Sequence, residues 1–218
     1  AGTPLIEIVT FPDFSSDDEV TEFLKEIQRT LWYNNISDAD LEKGQMRCDV
    51  NISVRKKGDT KLGTKVEIKN MNSMSAIRRA IAYEFERHSK LLDAGTPIEQ
   101  ETRGWDDMKK ISYTMRSKAD ALDYRYFPEP DLPTLEVNQK MIDDSISNLV
   151  GSTYTKMKRY KDEYGFHKEY INGLIGYKDI NMLFESLVAD GIEPKLIAKY
   201  IVGFVLKNLN EKIGRAHV

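Results

Sequence analysis

The sequence predicts an α+β fold in which an antiparallel sheet covered by helices precedes an all-helical region. Apolar and polar residues alternate along residues 46–54 and again along residues 65–69, as they do in strands with one buried face. Turn residues at 56–59 lie between the two runs, so the two strands form a hairpin. From Asn138 onward, helical patterns separated by glycines replace the strand patterns.

This change of pattern predicts two domains, residues 1–134 and 135–218, and a chain of 218 residues is long enough for both. The single cysteine, Cys48, excludes an internal disulfide and a cysteine-rich zinc site, and the three histidines form no metal-binding motif. The formal charge of −3 gives no overall nucleic-acid signature, so any contact with RNA must come from a local patch. No apolar run approaches the ~20 residues of a membrane span.

The first element is predicted to be a short buried strand at residues 5–9, interrupted by one acid, Glu7. Two placements of Glu7 remain open. It is either an edge carboxylate turned to water, or it projects onto the same polar face as Asp49 and Glu67.

Two helices are predicted to cover the apolar face of the sheet. Ser16 and Glu19 form a capping box that starts the first helix, which carries an apolar stripe and ends near residues 34–35. The second helix is predicted over Ser75–Leu92, and Gly95 stops it. His88 on this helix is interpreted as a helix-face residue and not as a ligand.

The polar face of the hairpin is unusual in its composition. It carries Arg47, Asp49, Asn51, Glu67 and Lys69, a mixture of both charges with two short side chains that strands disfavour. An ordinary solvated sheet face and a functional face both remain open on these residues alone.

The remaining segments complete the two domains. Residues 98–103 and 111–117 alternate as two further strands, and the proline-rich segment 123–133 is predicted to be extended, rigid and the end of the first domain. Five helices follow, predicted at residues 141–149, 154–164, 167–174, 180–189 and 194–209.

A basic cluster lies in the helical half, formed by Lys156, Lys158, Arg159 and Lys161. Such a cluster is usually a solvated helix face. It is also the most plausible phosphate-contacting patch that the sequence offers.

The longest motifs of the chain resemble the family of B subunits of the tRNA-dependent amidotransferases. The resemblance runs in order through essentially the whole chain, at Gly2–Val9, Arg47–Asn51, Lys65–Asn70, Ala82–Arg87, Gln100–Asp106 and Asp123–Pro133. It implies a cradle domain with a sheet similar to that of glutamine synthetase, then a helical domain and a tail domain.

The resemblance also implies an activity. Members of the family use ATP and Mg2+ to phosphorylate the side-chain carboxylate of Glu-tRNA(Gln) or Asp-tRNA(Asn), and ammonia then displaces the phosphate. The ammonia is made from glutamine by the amidase, or A, subunit, which a small C subunit tethers to the B subunit. The implied partners are therefore the A and C subunits and the acceptor end of the tRNA, with no membrane, in the bacterial cytoplasm or an organelle.

Site roles follow from the same resemblance. Mg2+ prefers carboxylate oxygens, so Asp49, Glu67 and Glu7 are the candidate metal ligands. Arg47 and Lys69 are candidates for contacting the nucleotide or the acyl phosphate, with Asn51 orienting it, and Asp49, Arg47 and Lys69 are the candidate catalytic residues.

Two rival functions and one expectation accompany this interpretation. The rivals are a non-catalytic RNA-binding or scaffold module and a glutamine-synthetase-like ligase unrelated to tRNA. Because the family's metal-binding first half of the cradle and its tail domain have no counterpart in the sequence, we expect a fragment that is inactive alone.

Overall fold

The computed structural model describes residues 3–117, 128 and 130–209. The chain forms two compact units, which consist of Ala1–Lys25 with Asp38–Asp143, and of Glu26–Ser37 with Asp144–Val218. The division into domains near residue 134 stays a prediction. The α+β class is confirmed.

Within the described residues, the first unit contains a four-stranded sheet in the order β1-β2-β3-β4, formed by β1 (Cys48–Ile52), β2 (Val66–Met71), β3 (Glu101–Asp106) and β4 (Ile111–Ser117). The outer pairs β1–β2 and β3–β4 are antiparallel, whereas β2 and β3 are parallel. The sheet is therefore mixed, and the prediction of an antiparallel sheet was wrong. The cause is helix α2 (Met74–Asp93), which connects β2 to β3 as a crossover and returns the chain in the same direction.

Both helices predicted beside the sheet form where their caps place them. Helix α1 spans Asp17–Tyr33; the Ser16 hydroxyl accepts from the Glu19 amide at 3.2 Å, and the Glu19 carboxylate accepts from the Ser15 amide at 2.6 Å. Helix α2 is capped by the Ser73 hydroxyl. Their apolar residues and those of the sheet form one core, which includes Val20, Leu24, Leu41, Cys48, Val50, Ile68, Met71, Ile77, Ala80 and Trp105.

The strand predicted at residues 5–9 is not formed. The segment has no regular structure, and its apolar side chains are exposed, with Leu5 at 93% and Val9 at 82%. A strand needs a hydrogen-bonded neighbour, and among the described residues the four paired strands do not include this segment. The apolar run alone therefore overestimated the strand content.

The regular elements described after residue 138 are all helical: α3 (Gln139–Ser147), α4 (Thr153–Asp162), α5 (Lys168–Ile175), α6 (Lys178–Ala189) and α7 (Pro194–Tyr200). The last helix was predicted as one element to residue 209, but it passes through a π-helical turn at Ile201–Val205. The core of the second unit is built from Tyr160, Phe166, Ile171, Leu174, Phe184, Ile197 and Ile201. Most of the predicted extended segment 123–133 lies outside the described residues.

Candidate functional site

The two faces of the hairpin separate as predicted. Asp49 is exposed on β1, while its neighbours Cys48 and Val50 pack against the core under the helices. On β2, Val66 and Ile68 are fully buried. This arrangement confirms that Asp49 and Glu67 lie on the same side of the sheet.

Lys69 joins the two acids of this polar face. Its Nζ lies 2.5 Å from Asp49 Oδ2 and 3.2 Å from Glu67 Oε1. The Lys69 side chain is 30% exposed and that of Asp49 is 45% exposed, so this row of charges lies at the surface of the sheet. Three of the sequence-predicted site residues are therefore brought into direct contact.

A β-bulge creates this contact. Cys48 pairs with Met71 and Val50 pairs with Ile68, so the single residue Asp49 faces two residues of β2. One of the two, Asn70, has φ 68°. Asn is among the few residues that accept this left-handed conformation readily. The sequence analysis did not predict the bulge, and Asn70 is the local signal that could have suggested it.

Sequence reasoning also missed Thr102 on β3. Its hydroxyl donates to Glu67 Oε2 at 2.9 Å, and Thr102 stands opposite Glu67 in the parallel pairing of β2 and β3. The two residues are 35 positions apart in the sequence, so no local pattern connects them. Their contact follows from the crossover that α2 makes.

Hydrogen bonding to the acids keeps Lys69 charged. Partial burial alone would lower the pKa of Lys69, but its hydrogen bonds to Asp49 and Glu67 outweigh this effect and raise the pKa above its ordinary value. The ammonium group therefore holds the two carboxylates together at neutral pH.

The other predicted site residues are not joined to this cluster. Asn51 is exposed on β1 opposite Glu67, and Arg47 is exposed directly before β1. Glu7 lies in the exposed segment that forms no strand. The cluster in the described part of the chain therefore consists of Asp49, Lys69 and Glu67, with Thr102 beside it.

Two acids of the polar face carry the kind of oxygen ligand that Mg2+ prefers. Among the described residues, no group of three or more His, Cys, Asp and Glu side chains is placed to hold a metal ion, so the predicted trio of Asp49, Glu67 and Glu7 is not assembled. Mg2+ is commonly held by one or two carboxylates together with substrate phosphates and water. Asp49 and Glu67 match that pattern in ligand chemistry, with Lys69 now between them.

The opposite side of the sheet carries a buried network around Glu84 of α2. Glu84 and His88 are fully buried, and His88 Nε2 lies 3.2 Å from a Glu84 oxygen. Arg87 and Arg103 also contact Glu84, at 2.8 and 3.2 Å, and the Ser112 hydroxyl donates to it. His88 is thus a buried partner of Glu84 within the first unit.

These partners set the ionisation of Glu84. Burial raises the pKa of a carboxyl group, but hydrogen bonds from His88, Arg87 and Ser112 outweigh burial and lower the pKa of Glu84 to about 2. Glu84 is therefore a buried carboxylate that stays charged.

The four residues of the basic cluster in the second unit differ in their contacts. Lys156 donates to the buried Asn181 at 2.7 Å, and Arg159 pairs with Glu185. Burial also lowers the pKa of Lys156. Lys158 and Lys161 are exposed, so they are the members of the cluster that face solvent.

No helix among the described residues is long and apolar enough to cross a membrane. Residues 1–143 match the family described as the GatB/GatE catalytic domain. The match thus includes every residue of the polar face.

Several curated relatives are similar over nearly the whole chain, and each is named as the B subunit of an aspartyl/glutamyl-tRNA(Asn/Gln) amidotransferase. Identity is 43% over 213 residues in Picosynechococcus sp., covering 98% of this chain and 43% of the relative. It is 45% over 209 residues in Gloeothece citriformis, covering 96% and 42%. It is 44% over 212 residues in Thermosynechococcus vestitus, covering 97% and 42%. The chain therefore spans less than half the length of these relatives.

Proposed function

The chain belongs to the GatB/GatE catalytic-domain family, and from that premise we propose that it acts within the B subunit of an aspartyl/glutamyl-tRNA(Asn/Gln) amidotransferase. The reaction is the ATP-dependent phosphorylation of the side-chain carboxylate of Glu-tRNA(Gln) or Asp-tRNA(Asn), followed by its amidation. Ammonia is supplied by the glutamine-hydrolysing A subunit, and a small C subunit completes the complex. The proposed cell compartment is the bacterial cytoplasm or an organelle.

The observation that carries this proposal is the row of charges Asp49–Lys69–Glu67 on the exposed face of the sheet. Phosphoryl transfer is catalysed chiefly by positioning and by neutralising the charge of the phosphates. A surface that holds two carboxylates and an ammonium group in fixed contact supplies both kinds of charge. An ordinary solvated sheet face does not require such an arrangement.

Each residue has a role in this proposal. Asp49 and Glu67 are the carboxylates that would hold Mg2+, which when bound neutralises the phosphate oxygens of ATP. Lys69 is the cation that would contact the transferred phosphoryl group, and until then it prevents the two carboxylates from repelling each other. Arg47, directly before β1, and Asn51, on β1, are proposed to contact the nucleotide.

Glu7 remains a proposed ligand of the same metal ion. It is not on the sheet, so this role requires its segment to reach the polar face when the rest of the protein is present. The isolated chain, with Asp49 and Glu67 alone, is proposed to be inactive because two carboxylates without further ligands bind Mg2+ weakly.

The test is Asp49→Asn in the full-length B subunit within its complex. The change removes one charge at constant size, and we expect tRNA-dependent ATP hydrolysis to fall about 10²–10³-fold, as for the loss of one transition-state contact. Glutamine hydrolysis by the A subunit is expected to continue. Asp59→Asn is the matched control, because Asp59 is an exposed acid in the loop of the same hairpin. Normal ATP hydrolysis by Asp49→Asn would contradict the proposal.

A second candidate is a non-catalytic RNA-binding module, favoured by the exposed Lys158 and Lys161 on α4. This function predicts that Lys158→Gln with Lys161→Gln weakens tRNA binding and lowers the salt dependence of that binding. It also predicts that Asp49→Asn leaves tRNA-dependent ATP hydrolysis unchanged. The two variants therefore separate the two functions.

A further inference from the structure

We propose that Thr102 is a positioning residue of the polar face, which acts by holding the Glu67 carboxylate in the orientation that the Asp49–Lys69–Glu67 row requires. This inference rests on the proposed function. The Thr102 hydroxyl is uncharged and does not itself neutralise a phosphate. Its role is to fix a group that does.

The two oxygens of Glu67 have different partners on the polar face. Oε2 accepts the hydroxyl of Thr102 at 2.9 Å, and Oε1 lies 3.2 Å from Lys69 Nζ. A glutamate side chain has three rotatable bonds, and a partner on each oxygen fixes the last of them. Thr102 therefore fixes the orientation of the Glu67 carboxylate plane relative to Lys69.

Threonine suits this role because its side chain is stiff. A β-branched residue has few accessible χ1 rotamers on a strand. The hydroxyl of Thr102 is therefore restricted in direction even without its hydrogen bond to Glu67. The parallel pairing of β2 with β3 places Thr102 directly opposite Glu67 and Gly104 opposite Lys69. Thr102 thus supplies the hydroxyl in this row of the sheet, whereas Gly104 has no side chain and is covered by the ring of Tyr113.

The backbone at Thr102 is anchored from the other side of the sheet by Arg103. The guanidinium of Arg103 donates to the Ser112 hydroxyl at 2.7 Å, to the Ser112 carbonyl at 3.0 Å, to Glu101 at 2.7 Å and to Thr114 at 3.0 Å. Arg103 also lies 3.2 Å from the buried Glu84 of α2. These contacts hold β3 against β4 and α2, so Thr102 is presented from a rigid strand.

Rigid presentation matters for the proposed chemistry. A reacting group misplaced by about 1 Å costs on the order of 10²-fold in rate. Changes to residues that orient the ligands of a site typically cost about 10- to 100-fold. Thr102 is expected to act in this range, because it touches Glu67 and not the nucleotide.

The experiment compares three variants of the full-length B subunit in its complex by tRNA-dependent ATP hydrolysis. Thr102→Val keeps the shape and removes the hydroxyl, and we expect kcat to fall about 10- to 100-fold while KM for ATP changes little. Thr102→Ser restores the hydroxyl and is expected to recover most of kcat. Thr21→Val is the control: it removes a threonine hydroxyl that bonds to the Asp17 and Asp18 carbonyls of α1, away from the polar face.

A double-mutant cycle tests whether Thr102 acts through Glu67. In a Glu67→Ala background, Thr102→Val is expected to lower the residual rate no further, because the carboxylate it holds is gone. The melting temperatures of the same four proteins, measured without nucleotide, are expected to be non-additive for the same reason. Equal and additive effects in both backgrounds would overturn the inference, since they indicate a general structural role.

The outcomes for the proposed function and for this inference are distinct. A normal rate for Thr102→Val beside a collapsed rate for Asp49→Asn overturns the role of Thr102 alone. A normal rate for Asp49→Asn overturns the proposed function and, with it, this inference. If Thr102→Val does not fold, Thr102→Ala is compared with Thr102→Ser by the same criteria.

Discussion

Arg103 on β3 reaches the buried Glu84 of α2, and its Nε lies 3.2 Å from a Glu84 oxygen. The contact joins the helix to the strand that carries Thr102 on its other face. A buried carboxylate is costly unless several donors satisfy it, and Glu84 has such donors on both the helix and the sheet. The arrangement makes Glu84 a test of how the first unit is held together.

We expect Glu84→Gln to destabilise the first unit by about 3 kcal/mol, because it removes the buried carboxylate that Arg103 and Arg87 share and leaves Glu101 to balance both guanidinium groups. Urea unfolding followed by Trp105 fluorescence in a Trp32→Phe background measures this unit. Glu86→Gln is the control, since Glu86 is an exposed acid on the same helix that pairs with Lys90. Equal urea midpoints for the two variants would contradict this prediction.

The pH dependence of stability follows from the same residue. The pKa of Glu84 is lowered from 4.5 to about 2 on folding, so the unfolded chain binds the proton more readily. The stabilisation is therefore complete above about pH 4.5 and is lost as the pH falls toward 2. We expect the wild-type urea midpoint to fall over this range more steeply than that of Glu84→Gln. Parallel pH profiles of the two proteins would show that Glu84 is not the group responsible.

Gly104 lies beneath the ring of Tyr113. A β-carbon at position 104 would lie 2.5 Å from the Tyr113 ring and 2.6 Å from its hydroxyl, which is closer than atoms can approach. Tyr113 is 44% exposed and its ring can turn toward solvent, so we expect Gly104→Ala to cost about 1 kcal/mol, at the low end for overpacking. In a Tyr113→Ala background the same change is expected to cost less, as measured by urea unfolding. An equal cost in both backgrounds would mean that the ring is not the obstacle.

Replacement of Lys69 is expected to affect activity strongly and stability only weakly. Exposed ion pairs contribute little to folding, so Lys69→Met is expected to change the free energy of unfolding by less than about 1 kcal/mol. The same change leaves Asp49 and Glu67 without their shared cation and is expected to reduce tRNA-dependent ATP hydrolysis about 10²-fold or more in the full-length complex. Lys65→Met, at an exposed lysine directly before β2, is the control. A large loss of stability with unchanged activity would reverse the assigned role.

Tyr33 provides a test in the second unit. Its side chain is almost fully buried, and its hydroxyl donates to the Ile175 carbonyl at 2.9 Å. Tyr33→Phe leaves that carbonyl without its donor, and we expect a loss of about 1–3 kcal/mol in thermal or urea unfolding. Tyr154→Phe, at a tyrosine whose ring is exposed, is expected to leave stability unchanged. An equally small change in the two variants would show that the hydrogen bond from Tyr33 contributes little to stability.

Local patterns in the sequence were sufficient to predict most of the helices and strands and to place the acids of the site on one face of the sheet. The capping box at Ser16 and Glu19 placed the start of α1, because a cap is satisfied within one helical turn. Alternation in the hairpin placed Asp49 and Glu67 on one side, because side chains on a strand change face at every residue. The proposed catalytic roles of these residues remain to be tested by the variants above.

Tertiary structure decided what these patterns do not contain. The apolar run at residues 5–9 is typical of a buried strand, but a strand exists only with a hydrogen-bonded neighbour, and the described sheet gives it none. The parallel pairing of β2 and β3 depends on how α2 crosses the sheet, so the contact between Thr102 and Glu67 has no local signal. The bulge at Asn70, which aims Lys69 at Asp49, likewise arises only when two strands with unequal residue counts are paired. The sequence determines which side chains each element carries, whereas the pairing of distant backbone segments determines which of those side chains are in contact.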